Sequence, residues 1–527
     1  MSTATSVERE VDSEAESADL ASFGYTQQLH RRLGSYASFA AGFSFVSILT
    51  TVFQLFAFGF SFGGPAFFWT WPLVFVGQFL VALNFSELAA RYPISGAIYQ
   101  WSSRLSNVTV GWFAGWIMII AQIVTTAVAA IAMQIVLPPI WDGFQLVGTD
   151  SSPVSADGAA NAVLLGVIVL CFTTVINVIG VRLMAVINSA GVTLELIGVV
   201  VVVVLLFAHA ERGPGVLTDT GGLGSGTGYV GAFLVSSLMA AYVMVGFDSA
   251  GELSEETRDP RHTAPRTILR ALVVSGIGGA FLLIAALVAA PSLTDGTLAT
   301  QGLPYVLTSR LGDTGGRLLL VLVAIAVFVC TLSIQTAGSR MVFSMARDGV
   351  LPFSRTLSWI PERTGTPAVA SIVVGVLAAG VLVVNIHQGS LFLALSSVCI
   401  VMLYLAYLFV TIPLLLRRLK GWPAGLAEFT TDSGGKLFSL GRWGIAVNAG
   451  AVLYGLAMMT NLGWPRAAVY NPFDGAAYLQ WLAPLFVAAS LAVGALVYAR
   501  FRVRIQSLAG GPAPVVVPET LPTTAAA

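Results

Sequence analysis

The sequence predicts an all-α integral membrane protein with twelve transmembrane helices, on three observations. Of 527 residues, 56% are hydrophobic and only 10% charged, against about 25% charged in a soluble domain. The apolar residues fall into twelve runs long enough to span a bilayer, centred near residues 48, 78, 122, 170, 198, 241, 280, 328, 376, 402, 453 and 489. Basic residues alternate between the links. With both termini cytoplasmic, 22 Arg and Lys lie inside and four, Arg212, Arg310, Arg317 and Arg466, lie outside. One span missed or invented would destroy that asymmetry, so count and orientation support each other.

The ends and the sparse chemistry exclude other classes. Glu8, Glu10, Asp12, Glu14, Glu16 and Asp19 are the reverse of a basic leader, so no cleavable signal peptide is expected. Residues 1–32 read as an acidic disordered cytoplasmic tail and 506–527 as a second disordered tail. Zero net charge argues against nucleic acid as a partner. Cys171, Cys330 and Cys399 lie within spans without paired spacing and read as small buried hydrophobes, not disulfides or metal ligands. GGK at 434–436 lacks the rest of a phosphate loop, and His30, His209, His262 and His387 are scattered. No catalytic constellation, cofactor or metal is expected, and no protein partner is implied.

Segments 1 and 6 are interrupted at mid-depth. Segment 1, about Tyr36 to Phe60, carries Ser47-Ile48-Leu49-Thr50-Thr51; segment 6, starting near Tyr229, carries Gly246-Phe247-Asp248-Ser249, with Glu252 beyond. Backbone freed inside a bilayer must be satisfied by protein, water or ligand, and intramembrane carboxylates mark solute or ion pathways. The two interruptions are five spans apart. Five is odd, so a repeated five-helix unit inserts upside down the second time and brings the broken helices together at the midplane. That assigns residues 33–415 to a ten-helix core, with repeats at about 33–208 and 229–415, and residues 416–505 to a cytoplasmic loop and two appended helices.

ELAARYPISGAIYQW at 87–101, INVIGVRLMAVINSAGVTLELIG at 176–198, GFDSAGELSEETRDP at 246–260 and SRMVFSMARDGVLP at 339–352 resemble, in order and spacing, signature segments of the amino acid–polyamine–organocation permeases. The wording is most similar to the amino acid/choline permease branch. The resemblance implies the LeuT-like fold, with substrate held between unwound parts of helices 1 and 6 and alternating access by rocking of a helix bundle.

It also implies candidate residues. Substrate contacts fall on Ser47, Leu49, Thr50, Thr51, Tyr242, Gly246, Phe247 and Asp248. Many relatives have Gly-Ser-Gly in the unwound part of helix 1, where this chain's best register puts Leu49-Thr50-Thr51, so the amide nest is reshaped; structural back-bonding of these threonines is the alternative. Asp248 reads either as a cap on the second half-helix or as a ligand for an amine. Tyr242 and Phe247 either cover the solute or pack. Glu195 falls where some relatives place a lysine that replaces sodium; alone in an apolar run, it reads as a proton carrier or as structural glue. Thr331, Ser333 and Thr336 offer oxygens to sodium instead, so the coupling ion, H+ or Na+, stays open. Glu87, Glu255, Glu256 and Arg258 are inner-gate candidates, with Glu87 alternatively a helix-end charge solvated or paired with Arg91, and Arg340, Arg347 and Asp348 a structural charge cluster.

The expected function is a multi-pass permease of the cytoplasmic membrane that moves amino acids or related amines by ion-coupled symport or exchange. A solute sensor that binds without transport is the alternative, and an integral-membrane enzyme a third.

Overall fold

The computed structural model describes residues 20–224, 227–294, 296–384, 386, 391–423, 436–470 and 477–508. Residues 1–19 and 509–527, most of the two expected tails, lie outside that set, as does His387. Among the described residues every named element is a helix, as lipid demands, because a helix satisfies its backbone polar groups within one segment.

In chain order the helices that position the site are α1 (Ser35–Val46), α2 (Ile48–Gly63), α3 (Thr70–Arg91), α4 (Ala97–Leu105), α5 (Val108–Ile131), α6 (Ala156–Ile179), α7 (Val181–Ala208), α8 (Thr227–Val243), α9 (Ser249–Glu252), α10 (Pro260–Ala289), α11 (Leu303–Arg347), α12 (Ala368–Val383), α13 (Leu391–Leu419), α14 (Gly444–Gly463) and α15 (Leu482–Ser507). Ten helices among the described residues are long and apolar enough to cross a bilayer, α1 and α2 counting as one; the shorter apolar helices Gly228–Val243 and Ala368–Val383 occupy two further predicted segments.

Burial sorts these helices into centre and rim. The apolar window of Ser35–Gly63 is 94% buried, whereas those of Gly441–Gly463 and Ala477–Ser507 are 28% and 17% buried. The first span therefore runs through the middle and the last two flank the bundle, presenting Leu453, Leu485 and Leu496 outward. Lipid tails are as apolar as leucine, so packing and interhelical hydrogen bonds, not the hydrophobic effect, hold such helices together. Buried Trp71 of α3 illustrates this: its indole Nε1 donates to the Gly276 carbonyl of α10 at 2.7 Å.

Residues 20–32, assigned above to a disordered tail, are instead packed against the arginine-rich end of the bundle. Leu20, Tyr25 and Leu29 are buried. The next residue, Leu33, donates its N–H to Glu256 O and accepts from Arg258 N, both at 2.9 Å. The acidic run stops at Asp19, and the stretch ASFGYTQQLHRRL that follows has apolar side chains to bury. Composition averaged over the whole segment hides them.

Candidate functional site

Two helix interruptions meet in the centre. Between α1 and α2 a single residue, Ser47, leaves helical geometry, with φ 33° and ψ 99°. A positive φ is strained for a residue with a side chain, by about 1–3 kcal/mol, and persists only where neighbours determine it. Here the neighbour is Glu195 of α7, which is 1% exposed. Its Oε1 accepts from Ser47 Oγ at 2.9 Å and from Leu49 N at 3.0 Å. Ser47 Oγ also stands 2.7 Å from Thr50 Oγ1.

This shifts the expected register. Leu49, Thr50 and Thr51 lie in the first turn of α2, and the break is at Ser47. Thr51 Oγ1 back-bonds to Ser47 O at 2.6 Å. Glu195 is not isolated; its carboxyl covers the exposed amide end of α2, where a helix N-terminus favours negative charge.

The second interruption separates α8 from α9. Gly246 has φ +90°, and a Cβ there would lie 1.7 Å from Phe45 Cδ1, so the position demands glycine twice over and brings the two breaks into contact. Gly246 N donates to Tyr407 Oη of α13 at 2.9 Å, and that hydroxyl donates to Asp248 Oδ1 at 2.5 Å. Asp248 makes no side-chain cap bond to α9, and its Oδ2 is buried without a partner. The capping alternative therefore gives way to a tyrosine-held carboxyl with one oxygen to spare. Phe247 is fully buried, its ring 6.0 Å from Phe85 and 5.6 Å from Tyr407 between centroids, and Tyr242 closes the last turn of α8, also buried.

On α11, Thr331 Oγ1 bonds to Val327 O at 2.8 Å and Thr336 Oγ1 to Leu332 O and Asn177 Oδ1, both at 2.7 Å. In these bonds the hydroxyls donate, to their own helix and to α6. Ser333 Oγ is buried without a partner. Cys330 of α11 also reaches the first break, its Sγ donating to Phe45 O at 3.6 Å. No cluster of three or more His, Cys, Asp or Glu suited to a metal occurs among the described residues.

At the arginine-rich end, three of the four gate candidates form buried ion pairs. Glu256 and Arg340 join twice, at 2.8 and 3.1 Å; Glu255 and Arg347 join at 2.8 and 2.9 Å, with Ser95 N also donating to Glu255 at 3.1 Å. Glu87 pairs with Arg418, not Arg91, and also accepts from Ser439 Oγ and Leu440 N, both at 2.9 Å. Arg258 points into solvent and joins none of these pairs; only its backbone meets Leu33. Removing one partner of a buried pair costs about 3–5 kcal/mol, because it strands the other charge.

The N-terminal segment adds contacts at this end. Gln27 Nε2 donates to Glu255 O at 2.9 Å, and the Arg347 guanidinium lies 4.1 Å from the Tyr25 ring centroid. Tyr25 Oη donates to Asp348 Oδ1 at 3.0 Å and Tyr99 Oη to Oδ2 at 2.7 Å. Burial, with the Asp348 charge adding to it, pushes the Tyr25 phenol up to about 12, which keeps it a donor. Sequence reasoning misses Tyr25 and Tyr407. A hydroxyl inside the run LYLAYLFV is the available signal for the second.

A sequence profile described as Amino acid permease matches residues 33–498. Among curated proteins, the chain is 28% identical over 471 residues to amino-acid permease BAT1 of Arabidopsis thaliana, covering 85% of this chain and 88% of that one. It is 28% identical over 419 residues to the thiamine transporter thi9 of Schizosaccharomyces pombe, covering 72% and 70%. A putative amino acid/polyamine transporter of Macrophomina phaseolina is 25% identical over 410 residues, covering 74% and 85%.

Proposed function

The chain belongs to the amino acid permease family of membrane transporters, and we propose that it is a secondary transporter whose binding site, at the paired breaks, selects an amine. The carrying observation is the asymmetry of charge there. The amide end of α2 is already covered by Glu195, whereas Asp248 offers an unpaired buried oxygen at the other break. An incoming ammonium meets a free acceptor; an incoming carboxylate must first displace Glu195. Cationic amines are then the preferred solutes while Glu195 is ionised, and a proton on Glu195 weakens its hold on Ser47 and Leu49 and admits amino acids. Names of similar proteins fit that range, one a thiamine transporter and one an amino acid/polyamine transporter.

In this proposal twelve spans, ten of them in two inverted five-helix repeats, place both breaks at the midplane of the cell membrane with both termini cytoplasmic. The arginine-rich end is the cytoplasmic gate, closed by Glu87, Glu255 and Glu256. Proton coupling runs through Glu195. Thermal unfolding of the purified protein against putrescine, lysine, choline, 4-aminobutyrate and dicarboxylates tests the reading, because a ligand that binds the folded state alone raises its melting temperature. Stabilisation by amines is the expected outcome; stabilisation by dicarboxylates alone refutes it.

A further inference from the structure

One turn beyond Asp248, Glu252 of α9 is fully buried, and neither of its carboxyl oxygens has a hydrogen-bond partner of normal geometry. The turn is direct, Glu252 N donating to Asp248 O at 3.3 Å. Beside it stands Gln122 of α5, also fully buried, whose amide nitrogen and oxygen both lack a partner of normal geometry. Asp248 Oδ2 is the fifth such atom in the group.

Structural duties do not account for these atoms. A buried carboxyl acting as glue is held at normal hydrogen-bond geometry; Glu252 has only a loose contact from Gln122. A structural ion pair needs a cation; no ion pair of Glu252 occurs among the described residues, and Arg340 is held in two bonds by Glu256, four residues further on. Five buried polar atoms without a partner of normal geometry are costly, and grouped in this way they suit a ligand that supplies donors. That ligand is a donor. Four of the five atoms are acceptors, two carboxylates are involved, and the fifth, the Gln122 nitrogen, is free to turn outward.

We propose that Glu252, Gln122 and Asp248 Oδ2 form a primary-ammonium site between the central breaks and the arginine-rich gate. A primary ammonium carries three N–H donors and no acceptor, matching one oxygen from each of the three side chains. A quaternary ammonium has no N–H to offer, so the site discriminates by methylation, which a bare acidic pocket does not. The inference rests on the amine-binding reading above and adds to it the residues that set which amines are favoured. Glu252 also places a station for the amine one turn nearer the gate than Asp248, so a solute has an acceptor to move to when the Glu255 and Glu256 pairs open.

The test uses the purified full chain in detergent, with apparent Kd values from thermal unfolding titrations of putrescine and of its permethylated bis-quaternary derivative. Wild type, Glu252→Gln and Gln122→Leu are compared. Loss of one charge-assisted bond predicts that Glu252→Gln weakens putrescine by about tenfold or more, and Gln122→Leu by about threefold, whereas the bis-quaternary compound binds wild type and both variants alike. Gln122→Leu removes an unpaired amide, so it carries the test if Glu252→Gln does not fold. Putrescine affinities equal in wild type and variants overturn the site while leaving the amine-binding reading intact. Failure of every amine to stabilise wild type overturns both.

Discussion

Replacing Glu195 is the most informative single perturbation of the centre. The carboxyl is the partner of two groups, Ser47 Oγ and Leu49 N, at 2.9 and 3.0 Å, and it is 1% exposed. Glu195→Ala leaves the buried Leu49 amide unsatisfied at about 1–3 kcal/mol, while Ser47 Oγ loses a charge-assisted bond but keeps Thr50 Oγ1 at 2.7 Å, at about 1 kcal/mol. It also removes the contact that holds Ser47 at φ 33°. The sum is about 2–4 kcal/mol of lost stability. Glu195→Gln keeps an oxygen acceptor in the same place and sheds only the charge-assisted part of the bonds, about 1–2 kcal/mol. Thermal unfolding in detergent is expected to rank the proteins wild type, Gln, Ala. The functional order differs. The Ala variant exposes the α2 amides to a solute carboxylate, so 4-aminobutyrate gains affinity relative to putrescine. The Gln variant mimics the protonated residue, so it still exchanges solute across a liposome membrane but loses pH-driven accumulation. An Ala variant as stable as wild type, or one with unchanged solute preference, contradicts this role for Glu195.

Three further perturbations test neighbouring parts of the molecule. Gly246→Ala places a Cβ 1.7 Å from Phe45 Cδ1 on a backbone at φ +90°, and strain plus overpacking cost about 2–5 kcal/mol; solute-induced stabilisation should vanish while membrane insertion persists, and normal solute binding contradicts a site at the breaks. Glu256→Ala strands the Arg340 guanidinium and should cost about 3–5 kcal/mol, with faster solute leak from loaded liposomes; a tight, stable variant argues against a gate. Single cysteines at the exposed Thr149 and Arg258 should report opposite sides in intact cells treated with an impermeant thiol reagent, Thr149 labelled and Arg258 protected, and labelling of Arg258 inverts the orientation.

The broken helices are legible in the sequence because glycine weakens a helix and a carboxylate is costly in lipid, so the two together inside an apolar run mark an interruption. Gly246 and Asp248 sit where that reasoning puts them, at a break in the chain. Partnerships are not legible. Nothing in local sequence relates Glu195 to Ser47 or Asp248 to Tyr407, which lie 148 and 159 residues apart and meet only when the helices pack. The sequence marks the run from Ser47 to Thr51 but not that the break narrows to Ser47 alone, where Glu195 meets it across the interface, while Thr51 back-bonds within the helix. A helix-end charge suggests a local partner, which points Glu87 to Arg91; the fold supplies Arg418 from 331 residues away. Residues 20–32 mislead for a related reason, a short apolar motif being diluted by an acidic neighbour.

Counterflow in liposomes decides whether the paired breaks carry an amine across the membrane. Purified protein is reconstituted with unlabelled putrescine or 4-aminobutyrate inside, and uptake of the labelled solute is followed for wild type and Asp248→Asn. Wild type is expected to show saturable, transiently accumulating uptake, and removal of the Asp248 charge to cause a loss of about tenfold for putrescine with a smaller loss for 4-aminobutyrate. Binding of amine without any counterflow, or putrescine flux unchanged in Asp248→Asn, would contradict an amine-selective transport site at these breaks.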